Sequence, residues 1–201
     1  MLGLPQSTEV KRPLPKAQIY KKFELKQSQR DSFDKDIARL DIVNNISPQT
    51  VPAVAEGNEV KAIYIIDVEL KCSDYDTNNI SLISKLIPQR MVFALRFQDK
   101  VKIAVFHTKL FTSCWFPLHS ASLTLSGLNL DMVWQNIVSS IGDVQIEQGK
   151  SLTDQIKADE ERAKILRQIE NLERQMRSTS QTRRQREIYT EIKKLKKEIY
   201  G

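Results

Sequence analysis

The chain has 201 residues, of which 40% are hydrophobic, 28% charged and 7% aromatic, enough apolar material for one core of roughly 100–150 residues plus an appendage. That size and mix exclude a multidomain motor or polymerase acting alone, and equally a fibrous or disordered chain. With 31 Lys+Arg against 25 Asp+Glu the net charge is +6, an excess that permits contact with nucleic acid without demanding it.

The opening Met1 to Glu9 lacks the charged-then-apolar pattern of a signal peptide, and no run approaches the roughly 18 apolar residues of a membrane span, so a cytoplasmic chain with no membrane contact is expected. Pro13 and Pro15 flank a basic lead-in. Gln18 to Glu24 and Ser28 to Ala38 read as short helices, the second capped by Ser28, with Phe33 and Ile37 on one face. Arg39 to Ile46 turns strand-like and closes at Ser47-Pro48. Val60 to Lys71 is the strongest strand, apolar on both faces near its middle, as a covered central strand is.

A helix follows, with Ile80, Ile83 and Leu86 on one seam, Leu82 and Ile87 beside it and Pro88 as the stop. Met91 to Phe97 and Val101 to Phe106 form a β-hairpin about Gln98-Asp99-Lys100. Trp115 and Ala121 to Leu125 suggest further strand, and Leu128 to Ile141 fits a closing helix with Leu130, Val133, Trp134, Ile137 and Ile141 inward.

Periodicity changes at 142–150, which reads as a linker. Beyond it Ile165, Ile169, Leu172 and Met176 recur at steps of four, three and four, and Ile188, Ile192, Leu195 and Ile199 repeat those steps after a break at Ser178 to Thr182. The expected organisation is a mixed α/β (α+β) domain over 1–141, a sheet with flanking helices, followed over 151–201 by a basic antiparallel helical hairpin or coiled coil. Residues 151–201 carry 13 Lys+Arg against 9 Asp+Glu. The cations concentrate in Arg174, Arg177, Arg183, Arg184, Arg186, Lys193, Lys194, Lys196 and Lys197, against only Glu187 and Glu191 in that span. A solvated outer face and a phosphate-binding patch both account for such a run. With only Tyr189 and Tyr200 as aromatics, backbone contact is conceivable and base reading is not supported.

One segment carries chemistry. Asp67, Glu69 and Lys71 fall on one face of a strand, and a carboxylate with a lysine at that spacing matches the E-x-K half of the PD-(D/E)xK nuclease motif. There carboxylates hold Mg2+ or Mn2+ that activates water, and the lysine stabilises developing charge. A second acid would have to come from a neighbouring strand, with Asp41, Glu56 and Glu59 as candidates. An exposed strand end laced with charge pairs is the plainer account. Cys72 and Cys114 lack any CxxC, and His107, His119 and Cys114 have irregular spacing with no fourth ligand, so neither a disulfide framework nor a zinc site is expected. No nucleophile elbow or glycine-rich phosphate loop is present, and no cofactor is expected outside the nuclease reading.

Four segments, Gly3 to Val10, Ile66-Asp67-Val68-Glu69-Leu70-Lys71, Ile83 to Pro88 before Met91 to Leu95, and Glu191 to Glu198, in this order and spacing resemble a prokaryotic family, domain of unknown function 4391. The resemblance covers nearly the whole chain, departing where other members have a longer aromatic region than the compact Phe111 to Leu118. Members are encoded beside helicases and DNA methyltransferases in restriction-like and antiphage islands. The resemblance thus implies an accessory component of a defence or restriction-modification system, with a helicase or methyltransferase, and DNA, as partners. It brings no catalytic residues. Self-association through the C-terminal helices, and a plain coiled-coil adaptor outside defence, remain open alternatives to both the accessory and the nuclease readings.

Overall fold

The computed structural model describes residues 2–200, with Tyr200 as backbone only. Met1, Gly201 and the Tyr200 side chain, which the expected domain bounds and tail aromatics include, lie outside the described residues. The chain is mixed α+β and divides into two compact units, Met1–Gln145 and Ile146–Gly201.

The first unit is built on one sheet. Its strands are β1 (Glu9–Pro13), β2 (Ile37–Ile46), β3 (Ile63–Leu70), β4 (Arg90–Phe97), β5 (Lys100–Phe106) and β6 (Leu110–Thr112), hydrogen-bonded in that order, with a short β7 (Phe116–Pro117) also on β5. Every pairing is antiparallel except β3 with β4, the pair joined by a crossover through α3 (Thr77–Ile83). Parallel neighbours cannot be joined by a tight turn, which is why this helix sits between them. β3 lies inside the sheet and is buried along almost its whole length, Glu69 alone being exposed.

Because strand side chains alternate, each β3 residue chooses a face. Ile66, Val68 and Leu70 face one way, where Ile19 of α1 (Lys16–Lys22), Phe33 of α2 (Gln27–Asp36), and Ile80 and Ile83 of α3 close a core with Ile42 and Phe93. Ile63, Ile65, Asp67 and Glu69 take the other face. There α4 (Leu130–Gly142) packs on β5 and β6 and buries Leu130, Val133, Trp134 and Ile137. Asn129 caps α4 by accepting from the Met132 N–H at 2.9 Å.

Several expectations need correction. Ser28 lies inside α2; Lys26 is the N-cap, and its backbone N–H donates to Gln29 Oε1 at 2.9 Å. The helix expected to run to Pro88 ends at Ile83, because Leu86 and Ile87 pack on the core from a turn rather than from a helical face. Val60 and Ala62 precede β3 rather than belonging to it, and Lys71 follows it. Trp115 lies between β6 and β7, with the Lys102 ammonium 4.9 Å from its ring centroid. Ala121 to Leu125 belongs to no strand; the Leu123 N–H donates to Leu2 O at 3.0 Å.

The start of α4 is fastened by Asp131, whose carboxylate accepts backbone N–H groups of Asn58 at 2.6 Å and Val60 at 2.8 Å. Gly57 makes this approach feasible. A Cβ there would lie 2.3 Å from Asp131 Oδ1 and 2.8 Å from the Asp131 backbone nitrogen. Gly57→Ala should therefore push the loop off the helix and cost about 2 kcal/mol, read as a lowered Tm; an unchanged Tm would show that the loop is not held there.

The second unit pairs α5 (Leu152–Ser178) with α6 (Thr182–Tyr200). Ile169, Ile188 and Ile192 are its buried centre, with Ile165, Leu172, Met176, Leu195 and Ile199 around them. Met176 lines one hollow with Gln185 and Tyr189 while Ile165 lines another with Ile199, so the helices run antiparallel. Among the described residues, no helix is long and apolar enough to cross a membrane.

Candidate functional site

Two places hold the residues singled out by the sequence, and each lies within one unit. The first is the carboxyl end of the parallel pair β3 and β4. Register puts Asp41 of β2 opposite Asp67, Arg39 opposite Glu69 on one side, and Arg96 opposite Glu69 on the other. Asp41, Asp67 and Glu69 are thus brought to one face, but in company that the sequence did not disclose. Arg96 holds Asp67 in a two-point fork, Nε to Oδ1 at 2.6 Å and Nη2 to Oδ2 at 2.8 Å. Arg39 Nε lies 2.6 Å from Asp41 Oδ2. These hydrogen bonds raise both guanidinium pKa values, Arg96 chiefly through Asp67 and Arg39 chiefly through Asp41. Lys71 is not part of the cluster: its Nζ donates to Asp34 O at 2.6 Å.

This donor set does not fit a divalent ion. Mg2+ and Mn2+ sites need carboxylate oxygens with free lone pairs converging on one point. Here both Asp67 oxygens and the Asp41 carboxylate are engaged by guanidinium groups, and Glu69 lies between Arg39 and Arg96. The remaining acidic candidates are remote in function as well: Glu56 pairs with Lys61 at 3.3 Å, and Glu59 lies 3.9 Å from Arg90. The geometry is that of a structural ion-pair network. Arg39 and Arg96 are the residues the sequence reading missed. Only the strand register, which links residues far apart in the chain, would have revealed them.

His107 and His119 are likewise separated by role. His107 Nδ1 accepts from the Trp134 indole at 3.2 Å, and burial, followed by the nearby Arg90, lowers its pKa. His119 lies in a short 3-10 turn.

The second place is the outer face of α6. At 3.6 residues per turn, Arg183, Arg186, Lys193, Lys194 and Lys197 fall within an arc of roughly 100° opposite the Ile188, Ile192, Leu195 and Ile199 seam. All nine expected cations are exposed, but they are not equivalent. Arg174 pairs with Glu170 at 3.5 Å, Arg183 and Arg184 share Glu187 at 3.5 and 3.2 Å, and Lys196 reaches Glu173 at 2.9 Å. Arg177 stands close enough to lower the Glu173 pKa further, after the larger effect of Lys196. Arg186, Lys193, Lys194 and Lys197 enter no ion pair among the described residues. From Arg186 to Lys197 this stripe extends roughly 16 Å at about 1.5 Å per residue. Tyr189, 61% exposed, is its one aromatic neighbour among the described residues.

In comparisons with known proteins, the sequence model of the family described as Domain of unknown function (DUF4391) matches residues 2–199. Neither a curated protein nor a solved structure matches the chain.

Proposed function

As the chain belongs to the DUF4391 family, we propose that it is an accessory, non-enzymatic component of a prokaryotic antiphage defence or restriction-modification system. Its helical hairpin would bridge a helicase or DNA methyltransferase and the DNA backbone. The observation that carries the reading is the stripe of Arg186, Lys193, Lys194 and Lys197, four exposed cations on one helix face with no acidic partner among the described residues. Such a row gains little from folding and attracts a polyanion by releasing its condensed counterions. Tyr189, the one exposed tyrosine beside the row among the described residues, supports positioning on phosphates rather than reading of bases. The defence setting rests on the family's association with helicases and methyltransferases. The ion-paired state of Asp67 and Asp41 favours the non-enzymatic reading over metal-dependent cleavage.

The test uses the full chain with a labelled DNA duplex over a salt series. Four phosphate contacts should make log K fall with log salt at a slope of about −3.5. The variant Arg186→Gln/Lys193→Gln/Lys194→Gln/Lys197→Gln should bind far more weakly, with its slope collapsing toward zero; a flat response from the unaltered chain would overturn the DNA contact. Deleting residues 151–201 should abolish co-purification with the neighbouring helicase or methyltransferase, and retention of that complex would remove the bridging role. Cleavage of DNA with Mg2+ or Mn2+ that Glu69→Ala stops would overturn the non-enzymatic reading.

A further inference from the structure

A cavity of about 880 Å³ in the first unit lies on the α1 face of the sheet, away from the Asp67 ion pairs. Its size is that of a small-molecule site. Chain geometry explains why it opens there. β1 and β2 slip register between Glu9 and Arg12, and β2 and β3 slip between Ile42 and Asn44. Such irregularities bend strands and re-aim side chains. Asn45 consequently joins Ile42 on this face, opposite Tyr64 of β3.

The lining divides by chemistry. Ile42, Tyr64 and Ile87 supply apolar wall, while Arg12, Lys21 and Lys22 supply positive charge, and among the described residues no carboxylate lines the cavity. Lys22 is committed to Leu86 O. The Arg12 and Lys21 side chains form no hydrogen bond or ion pair with any other described residue. Within the same lining, Gln18 and Asn45 contribute two carboxamides. The Asn45 Oδ1 is buried and accepts no hydrogen bond among the described residues. A buried amide oxygen left unpaired is unusual and costly, and a bound group that supplies a donor after modest rotation of the amide would relieve it.

We propose that this cavity binds a nucleoside monophosphate. Each half of the lining selects a different part of such a ligand. A guanidinium fork beside a mobile ammonium suits a phosphate. A flat base fits between aliphatic and aromatic side chains, and carboxamides are the side chains that pair with a base edge through one donor and one acceptor. A fatty acid would fill the apolar wall but leave both amides unpaired. A bare sugar phosphate would use only the cations.

Calorimetry with the full chain at low salt decides the matter, using the 5′-monophosphates of adenosine, guanosine, cytidine and uridine, together with adenosine, ribose 5-phosphate and decanoate. At least one monophosphate should bind at submillimolar concentration, and ribose 5-phosphate at least tenfold more weakly. Arg12→Ala and Lys21→Ala should each weaken the preferred monophosphate about tenfold while leaving adenosine unaffected. Asn45→Leu should weaken monophosphates but not ribose 5-phosphate. The ligand comparison on the unaltered chain stands even where a variant folds poorly. Absence of binding by all four monophosphates at millimolar concentration would overturn the proposal. So would tighter binding of decanoate, or unchanged affinity in both folded cation variants.

Discussion

Replacing Asp36 by alanine should destabilise the first unit by about 3 kcal/mol. Asp36 ends α2, is 5% exposed, and gathers the start of α3 onto the end of α2. Its Oδ2 accepts from the Asp76 backbone N–H at 2.8 Å and from Asn79 Nδ2 at 2.9 Å, while its backbone oxygen accepts from the Lys71 N–H at 2.8 Å. Asp76 is itself the α3 N-cap, accepting from the Asn78 N–H at 2.9 Å. Alanine strands two donors at about 1–3 kcal/mol each, offset in part by removal of a buried carboxylate. Both donors converge on one oxygen. Asp36→Asn can keep that oxygen in place and turn its amide nitrogen toward Cys72, whose sulfur lies 3.8 Å from Oδ1. The asparagine variant should therefore lose only about 1 kcal/mol. Urea unfolding at constant m-value measures both; equal losses in the two variants would show that the charge, not the oxygen, holds the crossover.

Asp36 also marks the limit of what the sequence discloses. Its partners lie some forty residues on, and nothing in the local pattern around Phe33 and Ile37 announces them. By contrast, β3, the β4–β5 hairpin, α4 and both tail helices were legible because their signals are periodic and each is buried on the face its period predicts. In the hairpin, Gln98 departs from the turn rules, taking a left-handed φ of 55° without being glycine or asparagine, as Leu2 and Glu24 also do elsewhere.

Two of the misreadings share a cause. At Leu86 and Ile87 apolar residues continue a helical spacing into a turn. At Leu123 and Leu125 they alternate as in a strand but meet no ladder partner. Periodicity reports which side chains face the core, and hydrogen bonding decides the element. The candidate sites divide in the same way. Net charge in the tail could be counted, but which cations remain unpaired depended on Glu170, Glu173 and Glu187 one turn away or across the hairpin. The carboxylates of β3 could be placed on one face, whereas Arg39 and Arg96, which decide what those carboxylates can do, arrive only through register.

That register predicts an ordering of stabilities at the strand end. The Asp67 side chain is 12% exposed and that of Arg96 28%, so each removal leaves a largely dehydrated charge. Asp67→Ala leaves a guanidinium that retains some water and has Glu69 opposite it, and should cost about 2 kcal/mol, below the range for fully buried pairs. Arg96→Ala leaves the more buried Asp67 carboxylate facing Asp41 across the β2–β3 ladder. Like charges directly opposite on a sheet repel, and the loss should rise to about 3 kcal/mol. The double variant Asp67→Val/Arg96→Leu removes both charges and returns apolar volume to a face shared with Ile65 and Val92, and should lie within about 1 kcal/mol of the unaltered chain. Chemical denaturation of the four proteins gives this ordering directly. If both single variants were as stable as the unaltered chain, the fork would contribute nothing to the fold. Carboxylates whose release cost no stability would be available for other chemistry, and the case against a metal site at β3 would lose its physical basis.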